Sequence, residues 1–146
     1  MPSPERAIEA VFLDIGGTLG ERDRQTGVFT LYPSSVPLLK AMRDTVGLRI
    51  GVITTLGPEM TNAEGQDLLA RAGLADFLDP NGFVSDHDAG TSKPNVGIYQ
   101  FAARKLGIPA ERCLFIGENL IEVGGAVASG MKAILKPTPP GRELAG

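Results

Sequence analysis

Short apolar runs and helix-like repeats alternate along the whole chain. Each apolar run has the length of a buried strand, whereas the helix-like segments carry apolar side chains three or four positions apart. This pattern predicts five strands, at residues 10–13, 48–53, 82–85, 112–116 and 132–135. It predicts four helices between them, at residues 33–43, 62–72, 96–106 and 123–129. We expect a loop or small hairpin over residues 20–30 and a polar loop after residue 85.

Strands that alternate with helices imply a parallel sheet covered by helices on both faces. The predicted fold class is therefore α/β, a Rossmann-like, doubly wound, parallel five-stranded sheet. No repeat or linker divides the chain, so we predict one domain over residues 1–146. Its core spans about residues 8–136, and the proline- and glycine-rich tail 137–146 is expected to be flexible.

Composition and charge narrow the functional classes. Hydrophobic residues make up 42% of the 146 residues and charged residues 21%, as in soluble globular proteins. The net charge of −3 does not indicate nucleic-acid binding, and no apolar stretch is long enough for a membrane span. The N-terminus lacks the layout of a signal peptide, so we expect a cytoplasmic location. The oligomeric state is not predicted by the sequence.

Polar side chains follow the ends of three predicted strands. Asp14 comes directly after the first strand, and Thr54 and Thr55 follow the second. Glu118 follows the fourth strand, and Lys93 lies in the loop before the third helix. Since parallel strands place their carboxyl ends along one edge of the sheet, we expect these groups to converge in one crevice. The hydroxyls and the ammonium suit a phosphate, and the carboxylates suit a divalent cation. Carboxylate oxygens are ligands that Mg²⁺ prefers.

Each of these residues also has an ordinary structural interpretation. Asp14 fits a turn beside glycines, and Thr54 and Thr55 fit β-branched residues that close a strand. Lys93 fits a solvated loop lysine. The acids after residue 117 fit the start of a helix, where the helix dipole favours negative charge. Both interpretations stay open on the residues alone.

Other conspicuous residues carry no predicted chemistry. His87, the only histidine, is interpreted as a surface loop residue. Cys113 is the only cysteine, so an internal disulfide and a cysteine-based metal site are excluded, and we expect it to be buried. Gly124 and Gly125 do not begin a phosphate-binding loop, because no Gly-Lys-Ser/Thr follows them.

In their order along the chain, these motifs resemble those of the haloacid dehalogenase-like (HAD) hydrolase superfamily, over about residues 10–135. The four motifs correspond to the glycine-threonine turn that begins at Asp14, the strand ending at Thr54, the pair Lys93-Pro94, and the acids Glu118 and Glu122. Each motif is weak alone. Their order and the strand–helix alternation between them carry the resemblance.

The resemblance implies a phosphatase site. Asp14 is then the nucleophile that forms an aspartyl-phosphate, and Thr54 hydrogen-bonds the transferring phosphoryl group. Lys93 stabilises the charge on nucleophile and phosphate. Thr55 and the backbone N–H groups of Ile15 and Gly16 complete the predicted phosphate-binding set.

The resemblance also implies a Mg²⁺ cofactor. Asp14, Glu118 and the backbone carbonyl of Gly16 are its predicted ligands, and Glu122 supports the metal or Lys93. The expected partner is a phosphorylated substrate. Because the chain has no room for a large cap domain, the site is uncapped and allows a large substrate. We expect neither nucleic acid nor membrane as a partner.

Two positions depart from the family pattern. Gly16 stands where family phosphatases carry a second aspartate as general acid and base, a function worth about 10²–10⁴-fold in rate. Glu118 and Glu122 stand where aspartate is usual. The sequence therefore predicts a slow Mg²⁺-dependent phosphohydrolase, with a catalytically inactive HAD-like fold that serves as a binding or regulatory protein as the alternative.

Overall fold

A computed structural model describes residues 7–139, and its centre is one parallel five-stranded sheet. Two short strands form a separate antiparallel hairpin. In chain order the strands are β1 (Ala10–Leu13), β2 (Gly20–Arg22), β3 (Phe29–Leu31), β4 (Arg49–Thr54), β5 (Phe83–Ser85), β6 (Cys113–Gly117) and β7 (Lys132–Leu135). The order across the sheet is β5-β4-β1-β6-β7, which confirms the predicted α/β fold with five parallel strands.

The helices lie between the strands, as predicted. They are α1 (Ser35–Lys40), α2 (Asn62–Arg71), α3 (Asp86–Ala89), α4 (Val96–Leu106) and α5 (Leu120–Ala128). A π-helical turn, Ala41–Val46, continues α1, and short 3₁₀ turns occupy Ala75–Phe77 and Ala110–Arg112. Three of the sequence predictions change here: the first helix extends to residue 46, the last begins three residues early, and a short helix replaces the loop after residue 85.

Local capping explains two of these differences. Asn119 accepts hydrogen bonds from the backbone N–H groups of Ile121 and Glu122, so α5 begins directly after it. Ser85 and Asp88 form a reciprocal capping box, which folds the predicted polar loop into α3. The hairpin β2–β3 is the small hairpin expected over residues 20–30.

Two apolar clusters cover the two faces of the sheet. Alternate residues of β1 point to opposite faces, as the period of a strand requires. Phe12 packs with α4 and α5 in one cluster, whereas Val11 and Leu13 pack with the helices of the first half of the chain in the other. All four residues of β1 are fully buried, so the central strand is a rigid base for the residue that follows it.

The described segments on either side of the site are short. Between Asp14 and Thr54 lie only the hairpin, α1 and its π-helical extension, and between Thr54 and Lys93 lie α2, β5 and α3 with one 3₁₀ turn. Neither interval holds a large cap domain. No helix within residues 7–139 combines the length and apolarity needed to cross a membrane. The single domain stays a prediction, and residues 140–146 of the predicted tail lie outside the described residues.

Candidate active site

Asp14 lies at the carboxyl end of the central strand, where the backbone leaves the sheet. Its backbone N–H donates to the carbonyl of Ile116 on the neighbouring strand at 2.9 Å, which fixes its position. The turn that follows is closed by hydrogen bonds from Thr18 and Leu19 to the carbonyl of Ile15. The residue is 8% exposed. A carboxylate so deeply placed requires a partner, because its desolvation is otherwise costly.

Lys93 supplies that partner. Its ammonium donates to Asp14 Oδ1 at 2.5 Å and lies 2.9 Å from Glu122 Oε1. The lysine side chain is 3% exposed, so the interpretation of Lys93 as a solvated loop lysine is wrong. The structure thus brings together three of the predicted site residues that are far apart in the chain.

Two aromatic rings from the core support this ion-pair network. The Tyr99 hydroxyl donates to the backbone carbonyl of Glu122 at 2.7 Å and so holds the first turn of α5. Burial raises the pKa of Tyr99, with further contributions from the charges of Glu122 and Asp14, so the phenol stays a donor. Phe115 meets Tyr99 edge to face and lies 5.9 Å from the Lys93 ammonium. That distance suits a cation–π contact.

Gly125 sets how closely the Lys93 loop approaches α5. A β-carbon at position 125 would lie 2.2 Å from the carbonyl oxygen of Pro94, which is far inside van der Waals contact. The residue is buried within the helix. The sequence does not predict this role of Gly125, because the requirement for glycine comes from a neighbour 31 positions away and no local motif marks it.

Thr54 and Thr55 lie at the end of the adjacent strand and face the same cleft as the turn after Asp14. Parallel pairing places Val52 beside Leu13, so Thr54 extends past the end of β1. Thr54 and Thr55 line a cavity of about 210 Å³ together with Ile15 and Gly16. The predicted phosphate-binding residues therefore share one opening, although their contact with phosphate stays a prediction.

Asp86 fixes the loop that continues from Thr55. Its two carboxylate oxygens accept hydrogen bonds from the backbone N–H groups of Leu56 and Gly57, at 2.8 and 3.1 Å. Partial burial raises the pKa of Asp86, but these two hydrogen bonds outweigh burial and hold the pKa below its ordinary value. This role of Asp86 was not predicted either, although the Ser-x-x-Asp pattern of the capping box beside it indicates a helix start.

Glu118 lies against the turn of the first motif. A β-carbon on Gly17 would be 2.8 Å from Glu118 Cγ, and Gly17 has a φ of +81°, so only glycine suits this position. Burial raises the pKa of Glu118, and the charges of Asp14 and Glu122 raise it further, against a lowering by Lys93. Three carboxylates and one ammonium therefore meet with an excess of negative charge.

The donors beside Asp14 are oxygen atoms, which suit a hard cation. Among the described residues, no three acidic, histidine or cysteine side chains form a group that could hold a metal ion. Asp14, Glu118 and the carbonyl of Gly16 offer the oxygen donors that Mg²⁺ prefers. Since Mg²⁺ commonly keeps several waters and binds few carboxylates, a set with two carboxylates fits it.

Gly16 leaves open space where family phosphatases carry an acid. A β-carbon at this position would meet no atom within 4 Å, in contrast to Gly17 and Gly125.

His87 and Cys113 stand apart from the network. His87 Nε2 lies 2.9 Å from the Met60 carbonyl oxygen on an exposed surface, and Cys113 is buried, which raises its thiol pKa to about 11.

The fold is that of a Rossmann-like α/β protein with its polar cluster at the carboxyl edge of the sheet. The family model described as haloacid dehalogenase-like hydrolase matches residues 23–130, a span that includes Thr54, Lys93 and Glu118 and begins after Asp14. The chain belongs to the haloacid dehalogenase-like hydrolase family.

Comparison with individual proteins agrees with this family assignment. A glyceraldehyde 3-phosphate phosphatase of Methanopyrus kandleri is 31% identical over 104 residues, which are 70% of this chain and 42% of that protein. The chain thus spans about two fifths of the length of the curated relatives it matches.

Two solved structures show the same fold. A dehalogenase with an intermediate complex has a TM-score of 0.75 at 17% identity, covering 95% of this chain and 90% of that one. A HAD phosphatase from Thermococcus onnurineus has a TM-score of 0.72 at 20% identity, covering 88% and 86%.

Proposed function

We propose that the chain is a Mg²⁺-dependent phosphohydrolase that acts through an aspartyl-phosphate at Asp14. The observation that carries this proposal is the contact of Asp14 Oδ1 with the buried Lys93 ammonium, beside the cleft that Thr54 lines. Curated relatives named as phosphatases support the reaction class. Their named substrates are properties of those proteins, and the substrate proposed here is a phosphate monoester or phosphoanhydride.

The first step transfers the phosphoryl group to the enzyme. A carboxylate oxygen of Asp14 forms a bond to phosphorus while the bond from phosphorus to the leaving-group oxygen breaks. The leaving group departs with the electron pair. Lys93 lowers the charge repulsion between the Asp14 carboxylate and the phosphate, and the Thr54 hydroxyl donates to a phosphoryl oxygen.

The second step releases phosphate. A water oxygen forms a bond to phosphorus, the bond between phosphorus and the Asp14 oxygen breaks, its electron pair returns to the carboxylate, and the protons of the water leave with the phosphate. Gly16 supplies no proton to the leaving group in the first step and accepts none from water in the second. We therefore expect slow turnover, least so for leaving groups that need no proton, such as aryl oxides and the carboxylates released from acyl phosphates.

Asp14, Glu118 and the backbone carbonyl of Gly16 are the proposed Mg²⁺ ligands. The ion, when bound, supplies positive charge that neutralises the developing charge on the phosphoryl oxygens. Burial raises the pKa of Glu118, and the charges of Asp14 and Glu122 raise it further, so a cation beside these carboxylates would be favourable. Glu122 is assigned to Lys93, whose ammonium lies 2.9 Å from its Oε1 atom. We propose that Glu122 positions Lys93.

Turnover of an aryl phosphate tests the proposal. Hydrolysis of p-nitrophenyl phosphate should require Mg²⁺ and should be lost in Asp14→Asn, whereas Asp44→Asn, an exposed acid paired with Arg43, should retain it. Activity without metal, or unchanged activity in Asp14→Asn, would contradict the mechanism.

A second candidate function is phosphate binding without turnover. Gly16 favours it, because this position has no side chain that could transfer a proton. In that case the wild type binds phosphate esters with Lys93 and Thr54 but releases no phosphate. Measured binding without hydrolysis across aryl, alkyl and acyl phosphates would support it. Accumulation of a covalent phosphoryl group at Asp14 would exclude it.

A further inference from the structure

The cavity beside the turn that follows Asp14 is lined by chemically different groups. Gly16, two residues after the proposed nucleophile, lines it with Thr54 and Thr55, and Arg22 from the hairpin strand β2 lines it as well. The remaining wall is apolar and includes Phe29, Leu56, Met60, Leu68, Leu69 and Phe83. Among the described residues that line this cavity, Arg22 alone carries a charge.

The hairpin holds Arg22 in place. Arg22 pairs with Phe29 across the antiparallel strands, and Phe29 is buried, so the backbone beneath the guanidinium is anchored to the core. The Arg22 Nε atom donates to the carbonyl of Gly27 at 3.4 Å. This contact uses one donor of the guanidinium fork and leaves the two terminal nitrogens for another group.

No acidic side chain among the described residues is placed to neutralise Arg22 by a direct ion pair. The charge of Arg22 affects the pKa of Glu64, but the Glu64 carboxylate already accepts hydrogen bonds from Thr61. Hydrogen bonds from the backbone and side chain of Thr61, both 3.1 Å from Glu64 Oε1, lower the pKa of Glu64, and Arg22 adds a smaller contribution.

We propose that Arg22 is a specificity residue that binds an anionic group on the leaving-group side of the substrate. This inference rests on the proposed function, because the phosphate at Asp14 defines which part of the substrate is the leaving group. The ligand class is a phosphate ester whose largely apolar body lies between its phosphate and a carboxylate or a second phosphate. A planar guanidinium suits both anions, because it donates two parallel hydrogen bonds.

The cavity volume limits the part of the substrate next to the phosphate. An apolar cavity of about 150 Å³ accommodates benzene, so the 210 Å³ here accommodates one six-membered ring or a chain of similar size. A second cavity of about 350 Å³ shares Arg22, Phe29, Met60 and Leu68 with the first. A longer substrate would therefore extend past Arg22. The second cavity offers less selectivity for an anion, because Arg71 there pairs with Asp67 at 2.8 Å.

Two matched aryl phosphates test the assignment. 4-Carboxyphenyl phosphate carries an anion opposite its phosphate, and 4-carbamoylphenyl phosphate has nearly the same shape without the charge. The wild type should have a higher kcat/KM for the carboxylate. Arg22→Gln should lower the ratio of the two kcat/KM values about tenfold, mainly through KM, because Arg22 is exposed and water competes for the guanidinium.

Arg24→Gln is the control, since it removes the same charge from the same hairpin at a residue that does not line either cavity. Its ratio should match the wild type, and Arg22→Lys should keep part of the preference. An unchanged ratio in Arg22→Gln, or an equal fall in Arg24→Gln, would overturn the inference. Far-UV circular dichroism of each variant ensures that only folded protein is compared.

Calorimetric binding of both compounds to Asp14→Asn separates the inference from the proposed function. This variant cannot form the aspartyl-phosphate, so binding is measured without turnover. A carboxylate preference that Arg22→Gln removes in this background supports the inference even when wild-type hydrolysis is absent. Equal binding of the two compounds overturns it even when Asp14 is confirmed as the nucleophile.

Discussion

Gly125 and Pro94 touch so closely that the Lys93 loop fits against α5 only because position 125 has no side chain. A β-carbon there would lie 2.2 Å from the Pro94 carbonyl oxygen. Since Lys93 is the residue before Pro94, this contact between two backbones helps to set where the ammonium meets Asp14. A glycine inside a helix ordinarily costs about 1 kcal/mol relative to alanine, so a packing role accounts for its presence here.

Gly125→Ala should therefore push the Lys93–Pro94 segment away from α5. We expect overpacking to lower the free energy of unfolding by about 1–3 kcal/mol and to lower kcat on an aryl phosphate at least tenfold.

Gly124→Ala is the matched control, because a β-carbon at position 124 meets no atom within 4 Å. It should raise the free energy of unfolding by up to about 1 kcal/mol and leave kcat unchanged. Chemical denaturation and steady-state kinetics of the pair measure both effects. Equal behaviour of the two alanine variants would argue against a positioning role for Gly125.

Lys93→Met should reduce both activity and stability. It leaves the carboxylates of Asp14 and Glu122 without their shared cation, so the three acids of the site repel one another. We expect a fall in kcat of about 10²–10³-fold and a loss of about 1–3 kcal/mol in the free energy of unfolding, since Glu122 is partly solvated.

Lys105→Met is the comparison for Lys93→Met, because Lys105 donates to the Phe83 carbonyl and not to the site. It should change kcat little. The Lys93 assignment would be refuted by a Lys93→Met variant with wild-type turnover.

Gly16→Asp should restore the missing proton transfer. The position has open space, and its φ lies outside the left-handed region, so an aspartate side chain enters without strain. Turnover of an alkyl phosphate should rise at least tenfold, and turnover of an aryl phosphate should rise less, because an aryl oxide leaves without a proton.

Gly16→Asn adds the same volume without an acid and should not accelerate either substrate. Comparing kcat for the two variants on one alkyl and one aryl phosphate decides the matter. Equal or reduced rates of Gly16→Asp on both substrates would show that the missing acid does not limit turnover.

Asp86→Ala should remove a pH-dependent part of the stability. Burial raises the folded-state pKa of Asp86, but the hydrogen bonds from Leu56 and Gly57 outweigh burial and hold this pKa below its ordinary value. A lowered folded-state pKa stabilises the protein above the unfolded-state pKa, and the stabilisation is lost as the pH falls through the folded value. The wild type should thus exceed the variant by about 1–2 kcal/mol at pH 7.

This difference should shrink as the pH falls below about 4, when the carboxylate becomes protonated in the unfolded and then in the folded state. Urea denaturation of both proteins between pH 7 and pH 3 measures it. A difference that is constant with pH would show that the two hydrogen bonds do not distinguish the charged carboxylate.

Strand ends and helix stops made the fold predictable. Each run of apolar residues is long enough to form one strand of the sheet. Glycines such as Gly47 and Gly107 adopt positive φ at the C-terminal ends of helices, where glycine is favoured. The boundaries of α4 and β7 match the prediction. The predicted start of α5 was three residues too late. Asn119 caps the helix, and the spacing of apolar residues does not indicate a capping side chain.

The site was predictable to the extent that its residues follow strand ends. Asp14 at the end of β1 and Lys93 in the loop before α4 meet at the carboxyl edge of the sheet, as expected, and Glu122 joins them. Tyr99 and Gly125 were missed, since a buried tyrosine and a helical glycine look like ordinary core residues until the tertiary contact is known. Arg22 was missed because the hairpin brings it to the cavity only when folded.

A covalent phosphoryl group on Asp14 is the most direct measure of the proposed mechanism. Wild-type protein mixed with Mg²⁺ and excess p-nitrophenyl phosphate, then quenched in acid, should gain the mass of one phosphoryl group, and peptide mapping should locate it at Asp14. Asp14→Asn should gain none. A quenched wild-type protein that turns substrate over yet carries no phosphoryl group, or carries it at another residue, would contradict the account.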